Sequence, residues 1–142
     1  MIRQGGCLCG AVRYEVTGEL APIELCHCGQ CRKAQGGPFG ANTPVAAAAF
    51  RLLQGEAELR EYRASPSKRR VFCGTCGGPL FSHRDAAPEI LRLRAGTLDR
   101  TDDLTLGGHI QAASKAAWWP IDDELPRFPD AALLVALPAR LT

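Results

Sequence analysis

The sequence predicts a mainly β domain that has little helix and whose loops are held by metal. Three features indicate this fold: short runs that alternate apolar and polar residues, frequent turn residues, and cysteines in three close groups. Glycine (15) and proline (10) are spread along the chain between these runs. A chain of 142 residues has the size of one ordinary domain, so we expect residues 1–142 to form a single domain.

Five segments predict strands. Residues 11–16 alternate apolar and polar side chains, which is the period of a half-buried strand, and residues 58–63 predict a second strand. Residues 70–72 lead into a pair of cysteines, and residues 79–83 lead out of it. Residues 89–94 also alternate and are followed by an Ala-Gly turn signal.

Helix signals are weak. Residues 44–53 predict a helical turn or two before Gly55, and residues 129–137 predict a second short helix before Pro138. Near the C-terminus, Trp118 and Trp119 stand among prolines. We expect this segment to lie over the sheet and complete the core; the alternative is that an indole lines the mouth of an active site.

Charge and hydropathy exclude several classes of protein. The chain has 17 basic and 15 acidic residues, a net charge of +2, whereas proteins of nucleic acids or membrane surfaces usually show a larger imbalance. No apolar run approaches the roughly 18 residues of a membrane span. The N-terminal residues lead directly into the first cysteine group, so no signal peptide is predicted. We therefore expect a cytoplasmic protein that binds neither nucleic acid nor membrane.

The seven cysteines are expected to bind metal. A reducing compartment and an odd number of thiols both argue against a complete set of disulfides. Zinc prefers four tetrahedral ligands, so two pairs and one triplet predict a closed four-thiolate site and an open three-thiolate site. The closed site is typical of structural zinc and the open site of catalytic zinc. The predicted ligands are Cys7, Cys9, Cys73 and Cys76 in the closed site, and Cys26, Cys28 and Cys31 in the open one.

Two alternatives remain at this point. An iron–sulfur cluster would use the same thiolates, although the division into four and three does not favour it. A structural zinc module without chemistry explains the two pairs but leaves the triplet unexplained unless a histidine completes it. His27 lies between two ligands and is expected to point away from the metal, and His83 and His109 are expected to be structural.

Three thiolates on a divalent zinc leave a net charge near −1, which suits an incoming thiol better than a hard ligand. Binding to the metal would deprotonate that thiol, so a thiol substrate beside a small electrophile such as an aldehyde is the natural hypothesis. Arg32 and Lys33 follow the triplet and could pair with carboxylates of a tripeptide thiol, or they could be surface charges. Glu24 is a candidate proton carrier by position alone, and the basic run Lys68-Arg69-Arg70 is expected to be a solvated strand edge.

Together these motifs resemble the glutathione-dependent formaldehyde-activating enzyme family, also called the centromere protein V-like family. The resemblance rests on Gly6-Cys7-Leu8-Cys9-Gly10, Cys26-His27-Cys28-Gly29-Gln30-Cys31-Arg32-Lys33 and Phe72-Cys73-Gly74-Thr75-Cys76-Gly77, and on Leu125-Pro126-Arg127-Phe128 in the tail. It implies a β-tent-type fold with two zinc ions per chain, one structural and one catalytic, divided among the cysteines as above.

The resemblance also implies carbon–sulfur lyase chemistry, in which S-hydroxymethylglutathione is formed from or cleaved to glutathione and formaldehyde. Glutathione, or a similar small thiol, would then be the partner. Two other functions remain open: a zinc hydrolase that uses bound water on another substrate, and a binding module whose zinc is purely structural.

Overall fold

The computed structural model describes residues 1–130, whose ten strands form two β-sheets. The smaller sheet is antiparallel and has the order β1-β2-β5, with bounds Ile2–Gly6, Arg13–Thr17 and Phe50–Gln54. The strand predicted at residues 11–16 is confirmed as β2. It begins at Arg13 because the preceding residues form a turn in which the N–H of Cys7 donates to the carbonyl of Val12.

The larger sheet has seven strands in the order β10-β3-β4-β9-β8-β7-β6. All neighbours are antiparallel except β10 and β3, which run parallel. The predicted strands at residues 58–63, 70–72, 79–83 and 89–94 are confirmed as β6 to β9. The bounds are β3 Ile23–Cys26, β4 Gly40–Ala46, β6 Leu59–Ser65, β7 Lys68–Cys73, β8 Pro79–Arg84, β9 Ile90–Arg94 and β10 Leu106–Ile110.

Helix is scarce, as the sequence predicted. Within residues 1–130 there is one α-helix, α1 (Gly29–Gln35), besides single 3-10 turns such as Ala47–Ala49. It ends at Gly36, whose φ of 69° lies in the left-handed region that favours glycine. In the described residues no helix is long and apolar enough to cross a membrane. The second helix predicted, at residues 129–137, falls outside the described residues apart from its first two positions.

The helical turn or two predicted within residues 44–53 is confirmed only as a single 3-10 turn, and strands occupy the rest of the segment. Residues 44–46 complete β4, and only Ala47–Ala49 form a helical turn before β5 begins at Phe50. The alanines suggested helix propensity, but propensity is a weak preference that strand pairing and burial override. Here Val45 pairs with Leu91 of β9 and is almost fully buried in the core.

The core lies between the two sheets. Tyr14 and Val16 of β2 are buried together with Val45 of β4 and Leu93 of β9. The Tyr14 hydroxyl lies 2.6 Å from Oγ1 of Thr97, in the turn after β9, so a hydrogen bond as well as apolar contact joins the sheets. The cluster also includes Cys7 and Cys73, which places the closed cysteine site at the edge of this core.

The end of the segment after β10 runs beside that strand, where a parallel bridge between His109 and Arg127 extends the edge of the larger sheet. The N–H of Phe128 donates to the carbonyl of His109, and the N–H of His109 donates to the carbonyl of Pro126, both at 2.8 Å. The expectation that the indoles complete the core is wrong for Trp118, which is 68% exposed. Trp119 instead packs edge-on against Phe39, with ring centres 5.8 Å apart.

Candidate metal centres

Four sulfurs of the two cysteine pairs meet at one point. The ligand atoms of Cys7, Cys9, Cys73 and Cys76 all lie within 4.8 Å of one another. The sulfurs of Cys7 and Cys9 are 3.6 Å apart, and those of Cys9 and Cys73 are 3.9 Å apart. A tetrahedral zinc with Zn–S bonds near 2.3 Å would place its sulfurs about 3.8 Å apart. The four residues, called the closed cluster below, therefore fit such an ion.

Two tight turns build the closed cluster. One turn joins β1 to β2, and the other joins β7 to β8, where Gly77 has a φ of 75° and its N–H donates to the carbonyl of Cys73 at 2.8 Å. Backbone N–H groups point at the sulfurs; those of Cys9 and Gly78 lower the pKa of the Cys76 thiol to about 6. Such hydrogen bonds stabilise thiolates, which are the form that binds metal.

The remaining three cysteines form a second group, called the open cluster. The sulfurs of Cys26, Cys28 and Cys31 also lie within 4.8 Å of one another. Cys26 is the last residue of β3, Cys28 is the N-cap of α1, and the sulfur of Cys28 accepts a hydrogen bond from the N–H of Cys31 at 3.3 Å. The strand end, the cap and the first helical turn thus bring three sulfurs together within one short segment.

The thiols of the open cluster cannot all ionise by themselves. The neighbouring thiols of Cys28 and Cys31 raise the pKa of Cys26, and burial adds to this effect. Hydrogen bonds from Cys26 and Cys28 lower the pKa of Cys31, and Nη2 of Arg70 lies 3.7 Å from its sulfur. One thiolate is therefore stable, whereas three adjacent thiolates need a cation between them. This donor set fits a divalent ion that prefers sulfur.

The histidines near the open cluster are buried and paired with each other. Nε2 of His27 lies 2.8 Å from Nδ1 of His109, and Nε2 of His109 lies 3.0 Å from a carboxylate oxygen of Asp123. His27 does not join the three sulfurs as a possible ligand, in agreement with the expectation that it points away. His109 is not isolated: its partner stands 82 positions away, so no local sequence signal could reveal the pair, and its structural role stays a prediction.

Three other candidate residues surround the open cluster. Nε of Arg32 donates to the carbonyl of His27 at 3.4 Å, and Lys33 is exposed. No contact in the structure tests whether these two residues bind a substrate, so that role stays a prediction. Glu24 is buried and forms an ion pair with Arg92, while its burial raises its pKa.

The expectation that Lys68, Arg69 and Arg70 form a solvated strand edge is wrong. They begin β7, which lies between β6 and β8 rather than at an edge of the sheet. Arg70 is only 8% exposed, and burial followed by repulsion from Arg70 lowers the pKa of Lys68. Arg69, on the opposite face, pairs with the carboxylates of Glu61 and Asp85.

Comparisons with known proteins agree with this architecture. The model of the family described as "Glutathione-dependent formaldehyde-activating enzyme" matches residues 2–114. The chain is 31% identical over 106 residues to a Halomonas elongata protein named "Putative glutathione-dependent formaldehyde-activating enzyme", a match that covers 70% of this chain and 67% of that one. It is 28% identical over 78 residues to an uncharacterized lyase of Schizosaccharomyces pombe, and this match covers 55% of each chain.

A solved structure is similar as well. The crystal structure of a Rhodobacter sphaeroides protein matches with a TM-score of 0.59 and 28% sequence identity. The match covers 70% of this chain and 91% of that one. The similarity in sequence thus extends to the fold.

Proposed function

The chain belongs to the glutathione-dependent formaldehyde-activating enzyme family, and on this basis we propose that it is a zinc-dependent carbon–sulfur lyase. Its reaction would form or cleave adducts of glutathione, or a similar thiol, with formaldehyde or another small electrophile. The relatives' names support lyase chemistry with glutathione and formaldehyde. We further propose two zinc ions per chain, held by the closed and the open cluster, in a single domain spanning residues 1–142.

The observation that carries this proposal is the difference in ligand number between the clusters. Within residues 1–130 the closed group has four members and the open group has three. Structural zinc uses four protein ligands, whereas catalytic zinc keeps a position for substrate. A zinc ion in the open cluster would hold an incoming thiol as its thiolate, because three cysteine sulfurs favour a soft fourth ligand.

The proposed reaction balances without a further co-reactant. In the forward direction the thiol loses its proton, its sulfur forms a bond to the carbonyl carbon, and the carbonyl oxygen takes up a proton. Cleavage breaks that carbon–sulfur bond and returns the carbonyl compound and the thiol. Arg70 supports this chemistry by donating from Nη2 to the sulfur of Cys31, which offsets part of the negative charge of a three-thiolate site.

The alternatives make different demands on the open cluster. A hydrolase would need water rather than a thiol at the open position, and a binding module would need no open position at all. Both clusters require reduced thiols, which favours a reducing compartment such as the cytoplasm.

Metal content and a thiol titration test the proposal. We expect two zinc ions per purified chain and, after cobalt substitution, a change of the visible spectrum when glutathione is added. With formaldehyde present, S-hydroxymethylglutathione should then form faster than it does without protein. Two metals with no response to glutathione would contradict the proposed thiol, and one inert metal per chain would favour the structural module.

A further inference from the structure

The face of the larger sheet that turns away from the core carries a row of basic residues. Alternation along β7 and β9 buries Val71 and Leu93 on one face and therefore places Arg70 and Arg94 on the other. Strand register continues the row, since Arg70 pairs with Ser82 on β8, and Arg94 pairs with Asn42 on β4.

The open cluster lies on this same basic face. Gly40 of β4 pairs with Cys26, and a Cβ atom at Gly40 would stand 2.7 Å from Nε2 of Gln35 and 3.2 Å from Cβ of Cys31. Helix α1 thus contacts the sheet directly at Gly40, which lies two residues before Asn42 in β4. The contact between Nη2 of Arg70 and the sulfur of Cys31 joins the basic row to the cluster.

Within the described part of the chain, several buried donors on this face have no partner. Arg70 and Arg94 are 8% and 4% exposed, and within residues 1–130 neither forms an ion pair with a carboxylate. Nη1 of Arg94 donates a hydrogen bond to Oδ1 of Asn42 at 2.6 Å. Among residues 1–130, no partner is found for Nε and Nη1 of Arg70, Nε of Arg94, Oγ of Ser82 and Nε2 of Gln35.

Buried guanidinium groups whose N–H donors lack partners are costly, because burial removes water and neighbouring cations repel one another. Burial, followed by repulsion from Arg70, lowers the pKa of Arg94 to about 10, and Lys68 experiences the same two effects. A ligand that carries negative charge and acceptor oxygens would remove both penalties. Carboxylates meet this requirement, since guanidinium groups bind them through paired hydrogen bonds.

We propose that Arg70, Arg94 and Lys68, with Ser82 and Gln35, form an anion subsite that binds a carboxylate of the thiol substrate. This inference rests on the proposed function of the open cluster and names the residues that would favour thiols carrying a carboxylate over neutral thiols. The sulfur and the carboxylate of one such molecule would thus bind on the same face of the sheet.

Binding measurements on the cobalt-substituted protein test the subsite. The variant is Arg94→Gln, and the matched control is Arg84→Gln, which removes an exposed charge from the same face beside Lys68. The ligands are glutathione, its diethyl ester, which lacks the carboxylate charges, and S-methylglutathione, which lacks the thiol. Calorimetry gives each Kd, and the cobalt spectrum reports separately on thiol binding.

We expect Arg94→Gln to raise the Kd of glutathione and of S-methylglutathione by about tenfold or more, because a buried charge pair is lost. The Kd of the diethyl ester should change by less than about twofold in Arg94→Gln. Arg84→Gln should change the Kd of all three ligands by less than this, since exposed charge pairs contribute little. Arg94→Lys, which keeps the charge but not the paired hydrogen bonds, should fall between wild type and Arg94→Gln for glutathione. Melting temperature and the ligand-free cobalt spectrum check that each variant is folded and loaded.

Two results separate this inference from the function on which it rests. If glutathione and its diethyl ester change the cobalt spectrum with equal affinity in wild type and Arg94→Gln, the anion subsite is overturned and the thiol chemistry stands. If no thiol changes the spectrum, the proposed function fails. In that case, binding of S-methylglutathione that depends on Arg94 would still support the subsite, and its absence would overturn it.

Discussion

The closed and open clusters use the same ligand chemistry but join different parts of the molecule. The closed cluster takes Cys7 and Cys9 from beside the smaller sheet and Cys73 and Cys76 from the larger one, so it links positions 64 apart in sequence. The open cluster takes its three sulfurs from the segment between Cys26 and Cys31, where β3 passes into α1. One cluster closes the tertiary structure, and the other shapes a local turn.

The packing around the two clusters also differs. Cys7 and Cys73 belong to the core between the sheets, whereas Cys26 and Cys31 pack with Ile110 in a small separate cluster. A link between distant segments removes conformational freedom from the unfolded chain, and a link within one short segment removes little. The role of a cysteine site therefore depends on which elements its ligands join, and variants at each cluster test this dependence in turn.

The largest effect is expected from Cys9→Ser, which removes an exposed ligand of the closed cluster without disturbing the core. Structural zinc contributes on the order of 10 kcal/mol in zinc-finger peptides, similar to the whole stability of a typical domain. We therefore expect Cys9→Ser to lose this metal and the cooperative thermal transition, as measured by metal content and circular dichroism. Cys76→Ser should give the same result.

Leu8→Ser is the matched control for Cys9→Ser, because Leu8 is the neighbouring residue and is 89% exposed. It should keep both metals and change the free energy of unfolding by less than about 0.5 kcal/mol. A Cys9→Ser protein that melts like the control would refute the structural role of the closed cluster.

A smaller effect on stability is expected from Cys28→Ser in the open cluster. Serine is itself a favoured N-cap residue, so it should retain the cap of α1 while weakening the metal site. We expect this variant to contain one metal instead of two, to melt within a few degrees of wild type, and to lose lyase activity. Metal analysis, calorimetry and the formaldehyde assay give the three readouts.

Cys28→Ala separates the cap from the metal site. It should lose the same metal as Cys28→Ser and a further ~1 kcal/mol of stability, because alanine cannot cap the helix. Global unfolding of the serine variant would show that the division into a structural and a catalytic cluster is wrong.

The sequence predicted the ligands of both clusters but only some of the strands and helices that carry them. The division into four and three sulfurs followed from spacing alone, because each pair or triplet lies within a single turn. Strands β2 and β9 followed from alternation of apolar and polar residues, β6 was predicted as a second strand of this kind, and β7 and β8 were predicted from their places before and after a cysteine pair. Helix α1 was missed because it has only seven residues and begins at Gly29, where no periodic pattern can develop.

The basic row was missed for a different reason. Arg92 and Arg94 alternate with leucines just as solvent-facing residues of a half-buried strand would. Only the tertiary structure shows that α1 contacts this face near Cys31 and that Arg94 is buried. Alternation therefore predicts which face is apolar, but it does not predict whether the polar face reaches solvent.

The smallest expected effect concerns Tyr14, which links the same two sheets as the closed cluster but without metal. Tyr14→Phe keeps the stacking on Phe50 and removes the hydrogen bond to Thr97. Thr97 still donates to the carbonyl of Arg94, so the loss should be about 1 kcal/mol at neutral pH in urea unfolding.

The pH dependence of the protein's stability gives a second test of the role of Tyr14. Burial raises the pKa of Tyr14 to about 12, above the value near 10 of an unfolded tyrosine. The contribution of Tyr14 is therefore complete below pH ~10 and is lost as pH rises toward 12, so Tyr14→Phe should lack this alkaline loss. If Tyr14→Phe instead destabilised the protein as much as Cys9→Ser, the link between the sheets would rest on the hydrogen bond between Tyr14 and Thr97, and the closed cluster would lose its special role.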